Sequence, residues 1–395
     1  MRIAVFFLLV LMGGGSYAQN KSIKRLDNSA ITADSLTKAI QYLVDKANVQ
    51  GLGITIFNNR QPVYQKMFGV SNTQTGKPLQ VTTNLYGASF SKAVFAVLVM
   101  KLVEEDVIEL DTPLQNYLPQ PIYAYPHKIW HEDYRDLKNE PLYAKITARM
   151  CLNHTTGLPN WRWFEPDEKL RIHFEPGSRY SYSGEGLTYL QVVLEKITGK
   201  NLEELAQEKL FKPLGMTMSS YQWQSAFDKD YAVGYNEKGE VFEKDKDNAP
   251  RGAGTLETTL KDYSKFINGI LNKKILKAAS YKELFGQQIR IYSKTQFGPG
   301  SLEEGTWNDS TQLSYGLGWG LVKSPYGWAA FKEGHGSGFQ NYSIVFPDKG
   351  IAMIIMSNSF NTIGILKYLL ETGIADIYTP WKWNQYIPYD MVFNK

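Results

Sequence analysis

Cysteine occurs once in the 395 residues and histidine five times. The single cysteine, Cys151, excludes an internal disulfide, and its place in the apolar run 146–152 marks a small core residue rather than a nucleophile. Five histidines leave little from which to build a metal centre. His127 and His131 stand four apart, the spacing of a helical ligand pair, but no third ligand is near and Pro126 and Trp130 suit a packed loop better. No metal and no cofactor are therefore expected. Basic residues outnumber acidic ones only 43 to 39 and are scattered among them, so nothing resembles a nucleic-acid-binding block. No apolar run is long enough to cross a bilayer comfortably. No Gly-x-Ser-x-Gly elbow occurs, which excludes the strand–turn–helix serine site of α/β-hydrolases.

What the chain contains is an ordinary globular composition, 43% hydrophobic and 21% charged, enough for one large domain or two closely packed lobes. Residues 1–18 have the form of a secretory signal: Arg2, an apolar run over 3–12, then small residues ending in Ser16-Tyr17-Ala18, with cleavage expected after Ala18. The mature protein is expected to be secreted or periplasmic, without stable membrane insertion. Apolar periodicity predicts helices over 34–46, 86–105, 186–198, 202–210, 259–271 and 361–375. It predicts strands over 49–58 and 62–70, and again over 313–323, 328–334, 339–346 and 350–357. Strands at both ends with helices between them predict a two-lobed α/β (α+β) fold. An antiparallel sheet from both termini, flanked by helices, would pack against a mainly helical lobe. The sheet lobe is placed at about 19–88 and 250–395 and the helical lobe at about 89–249, one domain over 19–395. Two aperiodic stretches, 118–144 and 287–312, read as excursions bordering a cleft.

The chemistry-bearing stretch is Ser89-Phe90-Ser91-Lys92, where an apolar helix starts. Residues three apart share a helix face, so Ser89 Oγ and Lys92 Nζ can meet. A serine hydroxyl needs a base before it is a nucleophile, and a lysine serves only when burial or a neighbouring cation lowers its pKa. The first helical turn also offers free backbone N–H groups to a developing oxyanion. A second Ser-x-x-Lys, Ser35-Leu36-Thr37-Lys38, reads as the solvated face of an amphipathic helix.

Further segments follow in order: Leu152-Asn153-His154-Thr155-Thr156-Gly157-Leu158, Glu175-Pro176-Gly177 with Tyr182-Ser183-Gly184, Pro213-Leu214-Gly215-Met216, Tyr315-Gly316-Leu317-Gly318-Trp319, and His335-Gly336-Ser337-Gly338. The series resembles the serine β-lactamase-related hydrolases, which include class C β-lactamases, low-molecular-weight penicillin-binding proteins, D-aminopeptidases and family VIII-like carboxylesterases. The resemblance covers about 34–375 and implies a β-lactamase/transpeptidase-like fold and an acyl-enzyme mechanism. It implies Ser89 as nucleophile, Lys92 as partner base and Tyr182 as the residue that passes the proton to the leaving group, with Tyr180 as local competitor. The residues agree: a phenol needs a neighbouring cation to act as a base, and Lys92 would be that cation.

By the same resemblance His335 stands opposite Ser89 in a third motif. The strand after it would carry the second oxyanion donor, Gly338 or, one residue earlier, Ser337. His154 would brace a turn. Two departures bear on the substrate. Position 184 is Gly where the family's second motif ends in Asn, and the third motif shows no lysine. Both shift the expectation from β-lactam or peptide turnover towards esters or lactones. Arg162 is a candidate partner for a substrate carboxylate, or else a plain surface arginine. The expected activity is hydrolysis of an ester, amide (D-Ala peptide) or β-lactam bond in a small-molecule or peptide substrate. The alternative is a non-catalytic descendant that binds cell-wall peptides or another ligand.

Overall fold

The computed structural model describes residues 22–127, 129, 132–246 and 249–391. The expected signal segment, 1–18, lies outside them, as does His131. A short hairpin, β1 (Ser22–Lys24) and β2 (Ala30–Thr32), leads into α1 (Ala33–Lys46). The spacing of α1 buries Leu36, Ile40, Leu43 and Val44 on one face, and the Thr32 side chain caps its start by accepting from Ser35 N. β3 (Gly51–Asn58) and β4 (Gln61–Asn72) form the expected hairpin, with β5 (Lys77–Pro78) on its outer edge. Next come β6 (Leu85–Ala88) and α2 (Phe90–Glu104).

The middle of the chain holds α3 (Ala148–Leu152), α4 (Gly184–Thr198), α5 (Leu202–Ala206) and a small hairpin, β7 (Gly234–Tyr235) and β8 (Val241–Phe242). It continues through β9 (Leu256–Thr258), α6 (Leu260–Leu271) and α7 (Ala278–Leu284). The last strands are β10 (Ile289–Arg290), β11 (Ser314–Tyr315), β12 (Gly320–Ser324), β13 (Gly327–Gly336), β14 (Phe339–Phe346) and β15 (Ile351–Ser357), closed by α8 (Leu366–Ile374).

A 9-stranded antiparallel sheet runs in the order β10-β11-β12-β13-β14-β15-β3-β4-β5. The two chain ends meet where β15 pairs with β3, from Ala352↔Phe57 to Ser357↔Leu52. Successive side chains on β15 alternate between two cores, as strand geometry requires. Ile354 and Met356 pack with α2 and α6, whereas Met353 and Ile355 pack with α1 and α8. Helices thus cover both faces, and β3, β14 and β15 are buried at every position. Of the remaining helices, α3, α4 and α5 gather beside α2 as the second lobe of a two-lobed α/β architecture, and α7 also packs on α2.

Two departures from the periodicity reading have local causes. The helix expected from 86 starts at Phe90, because Leu85, Tyr86 and Ala88 pair with β9 as a strand. The run 313–323 breaks into β11 and β12, which turn back on each other through Gly316, whose N–H donates to Trp319 O.

α2 buries 12 of its 15 residues, which places it between the sheet and the second lobe. Its start is pinned by Ser91. The buried Ser91 hydroxyl donates to Ala88 O at 2.5 Å and accepts from Leu256 N at 2.8 Å. Ala88 itself holds φ 47°, a left-handed conformation that a β-carbon disfavours. Ser91→Ala orphans a buried N–H, so urea unfolding should show a loss of about 1–3 kcal/mol with an unchanged m-value. A loss below about 0.5 kcal/mol would mean the turn before Ser89 is held by other contacts.

Candidate active site

Ser89 sits where β6 turns into α2, half-buried and facing a cleft of about 770 Å³. One helical turn on, the buried Lys92 amine lies 3.1 Å from Ser89 Oγ and donates to Ala253 O at 2.5 Å. No carboxylate hydrogen-bonds to it among the described residues. Burial pushes the Lys92 pKa well below its ordinary value, and the positive charges of Lys332 and Arg251 push it further the same way. The other Ser-x-x-Lys lies on α1 with Ser35 and Lys38 both exposed, the solvated face its sequence suggests.

Tyr182 is brought to the pair from the residue before the α4 cap, Ser183, whose hydroxyl accepts from Gly186 N at 2.9 Å. The Lys92 amine sits 4.8 Å from the Tyr182 ring centroid. Burial raises the Tyr182 pKa, while Lys332 and the Ser89 hydroxyl pull against that rise. Tyr182 is therefore a protonated phenol in the resting site, not a phenolate. The cation at its hydroxyl is Lys332, whose Nζ donates to Tyr182 Oη at 3.3 Å, rather than Lys92 as the sequence suggested. Tyr180 points elsewhere, its ring lying against Tyr315 and Trp383. His154 holds Tyr182 from behind, with ring centroids 4.3 Å apart and Nδ1 accepting from Ser183 N at 3.1 Å. That is a bracing role, and burial depresses the His154 pKa too far for it to carry charge.

The third motif is displaced from its expected register. β13 runs to Gly336, two residues past the expected strand end, and a lysine does occur in it, three residues before His335. Lys332 and Glu333 are both buried and joined at 3.0 Å. Burial alone would lower the Lys332 pKa, but Glu333 and Tyr182 hold it above its ordinary value, so Lys332 is charged. A β-carbon at Gly334 would fall 2.4 Å from Gly87 O and 3.3 Å from Ser89 N, so this part of β13 lies against the serine turn. Beyond Phe331 the strand pairs only with β14, which leaves its other edge without a strand partner. Ser337 and Gly338, expected beside Ser89, instead form the β13–β14 turn. They pack on β7, where a β-carbon at 338 would lie 2.3 Å from Tyr235 N. The His335 side chain does line the cleft, but its Nδ1 pairs with Gln340 and its Nε2 with Tyr386 Oη at 2.8 Å. Burial lowers its pKa and leaves it neutral.

Two further expectations are corrected by packing. Arg162 is buried and clamps Glu185 through Nε at 3.0 Å and Nη2 at 2.7 Å, so it is neither a surface residue nor free for a substrate. None of the described residues of segment 118–144 lines the cleft; its Asp133 carbonyl accepts from Arg162 Nη1 instead. The walls come from 159–165, 173–182 and 296–302. At Gly184 the space an Asn side chain would need is filled, since a β-carbon there would lie 2.5 Å from the Trp161 ring. That ring stacks on Trp163 at 4.6 Å and covers Lys92 at 5.6 Å.

The family model Beta-lactamase matches residues 36–371. The chain belongs to this family. A penicillin-binding protein of Bacillus subtilis (strain 168) is 24% identical over 331 residues, 75% of this chain and 65% of that protein. A lovastatin esterase of Penicillium rubens is 30% identical over 182 residues, 40% of this chain and 45% of that protein. The chain thus covers less than two thirds of the length of these two relatives. The octameric penicillin-binding protein homologue from Pyrococcus abyssi superposes with a TM-score of 0.67 at 21% identity, covering 87% of this chain and 80% of that one, so the fold is shared.

In this beta-lactamase family member the Arg162–Glu185 pair is structural. Arg162→Ala strands a buried carboxylate and should cost about 3–5 kcal/mol of stability, which chemical denaturation would read. Exchanging both partners for Met and Leu should recover most of it. A stable R162A protein with a raised KM only for carboxylate-bearing substrates would restore the ligand role.

Proposed function

We propose that this protein is a serine hydrolase that acylates itself on Ser89 and releases the acyl group to water. The observation that carries the reading is the buried, depressed-pKa Lys92 amine 3.1 Å from Ser89 Oγ. A neutral amine there takes the Ser89 proton as Oγ attacks the acyl carbon. The oxyanion is met by the Ser89 N–H in the first turn of α2 and by the free edge of β13 around Gly334 and His335, in place of Ser337 or Gly338. Tyr182 passes its proton to the leaving oxygen or nitrogen and is reprotonated through Lys92, while the Lys332 ammonium at 3.3 Å stabilises the transient phenolate. Water then enters, and the same groups run the transfer in reverse to free the acid. Esters fit this site best, because Trp161 fills the place where a side chain at 184 would hold a substrate amide. The secretory form of residues 1–18 supports export, which the N-terminal residue of the mature protein would report.

Ser89→Ala should lower hydrolysis of a chromogenic ester by at least about 10³-fold with an unchanged circular dichroism spectrum. A fluorophosphonate adduct should appear by intact mass on the native protein only. Full activity in S89A would sink the reading, and a folded native protein that never labels would favour ligand binding without catalysis. The pH profile follows from the two opposite shifts. kcat/KM should fall on the acid side as Lys92 takes up a proton at its depressed pKa, and stay level into the alkaline range because burial keeps Tyr182 protonated. Lys92→Met should remove the acid limb along with most of the rate.

A further inference from the structure

Glu333 lines the cleft with Ser89 yet is only 2% exposed. Its Oε1 accepts from Lys332 at 3.0 Å and from Gln296 at 2.5 Å. Its Oε2 is buried and has no partner among the described residues. Burial alone would raise the Glu333 pKa, but Lys332 and Gln296 bring it below the usual carboxylate value, so the group is an anion. The positive charge of Lys332 is thereby matched inside the protein, and neither Lys92 nor His335 supplies another. Besides Tyr182, the other ionisable side chains on the cleft, Glu165, His173 and Arg179, come from its 165–179 wall. At the mouth, Phe164, Phe297 and Leu302 are exposed apolar side chains.

A buried acceptor without a donor is costly, and a ligand that supplies the donor recovers that cost. A ligand carboxylate brings no donor to that oxygen and meets a carboxylate whose own counter-ion is already engaged, so it is rejected. We propose that Glu333 selects the substrate of the acyl-transfer site, an inference that rests on the reading of Ser89 above. The site takes esters with an apolar arm whose group near Glu333 is neutral or offers a hydroxyl or ammonium donor, and it excludes esters that carry a carboxylate there.

The test uses three chromogenic esters of one acyl chain, ending in methyl, ammonium or carboxylate, with spontaneous hydrolysis subtracted. For the native protein, kcat/KM of the anionic ester should lie about 30-fold or more below the neutral one, and the cationic ester should equal or exceed it. Glu333→Gln should shrink the anionic penalty to about 3-fold or less and remove any cationic advantage. Equal turnover of all three esters by the native protein, or preference for the anionic one, overturns the proposal. So does a folded E333Q protein that keeps the native ratios. If E333Q does not fold, the native ratios decide alone. Fluorophosphonate labelling of Ser89 separates the two levels: labelled enzyme without charge discrimination refutes only the role of Glu333, whereas an enzyme that neither labels nor turns over any ester refutes the site with it.

Discussion

Two buried lysines face one tyrosine, and a single carboxylate stands beside them. The amines of Lys92 and Lys332 lie 4.8 Å and 5.1 Å from the Tyr182 ring centroid. Burying two ammonium groups with one counter-ion is far costlier than burying one, so the pair sheds a proton. Which lysine sheds it is set by Glu333. Glu333 adjoins Lys332 in sequence and pairs with it at 3.0 Å, whereas Lys92 has only a hydroxyl and a carbonyl for company. Lys332 therefore keeps its charge and Lys92 gives it up. The base next to the serine is made by burial and by the retained charge of Lys332, against the direct pull of Glu333.

The fold has to deliver these groups from distant parts of the chain. Ser89 and Lys92 come together locally, through one turn of α2. Tyr182 arrives through the capped start of α4, with the His154 ring wedged behind it. Lys332 and Glu333 arrive because β13 outruns β12: the last pair, Gly320↔Phe331, leaves the remainder of the strand beside the serine turn. Ser91 ties that turn to β9, and Ala253 O, just ahead of β9, receives the Lys92 amine. Serine and base are thus indexed to the ends of β6, β9 and β13, and the phenol to a capped helix start.

This division explains what could be read from the sequence. Local patterns were legible: the Ser89 helix, the exposed face of Ser35 and Lys38, the alternating strands, and the joining of both termini in one sheet. Tyr182 and Tyr180 are both buried aromatics two residues apart, and only the family resemblance preferred the first. The third motif lies three residues before the place the resemblance implies, because the Lys332 amine and not the His335 ring reaches the Tyr182 hydroxyl. A signal was present: Lys332 follows Ala329, Ala330 and Phe331 in a strand buried on both faces, where a charge needs a partner. Arg162 carried no such signal. Its partner Glu185 lies 23 residues away, and nothing local distinguishes a clamped arginine from a solvated one.

Trp161 joins the wall of the cleft to its base. The indole shuts off the space above Gly184 and at the same time covers Lys92, so it keeps water from the amine whose neutrality the chemistry needs. A side chain at 184 and an indole at 161 exclude each other, because the first β-carbon would fall 2.5 Å from the ring. Substrate contacts at 184 can therefore be gained only by moving the group that keeps Lys92 dry. Glu333 imposes a similar coupling from the other side, since it holds the charge on Lys332 and is also one of the residues lining the cleft. On the reading proposed above, the residues that choose the substrate also surround the base, so specificity and rate are coupled.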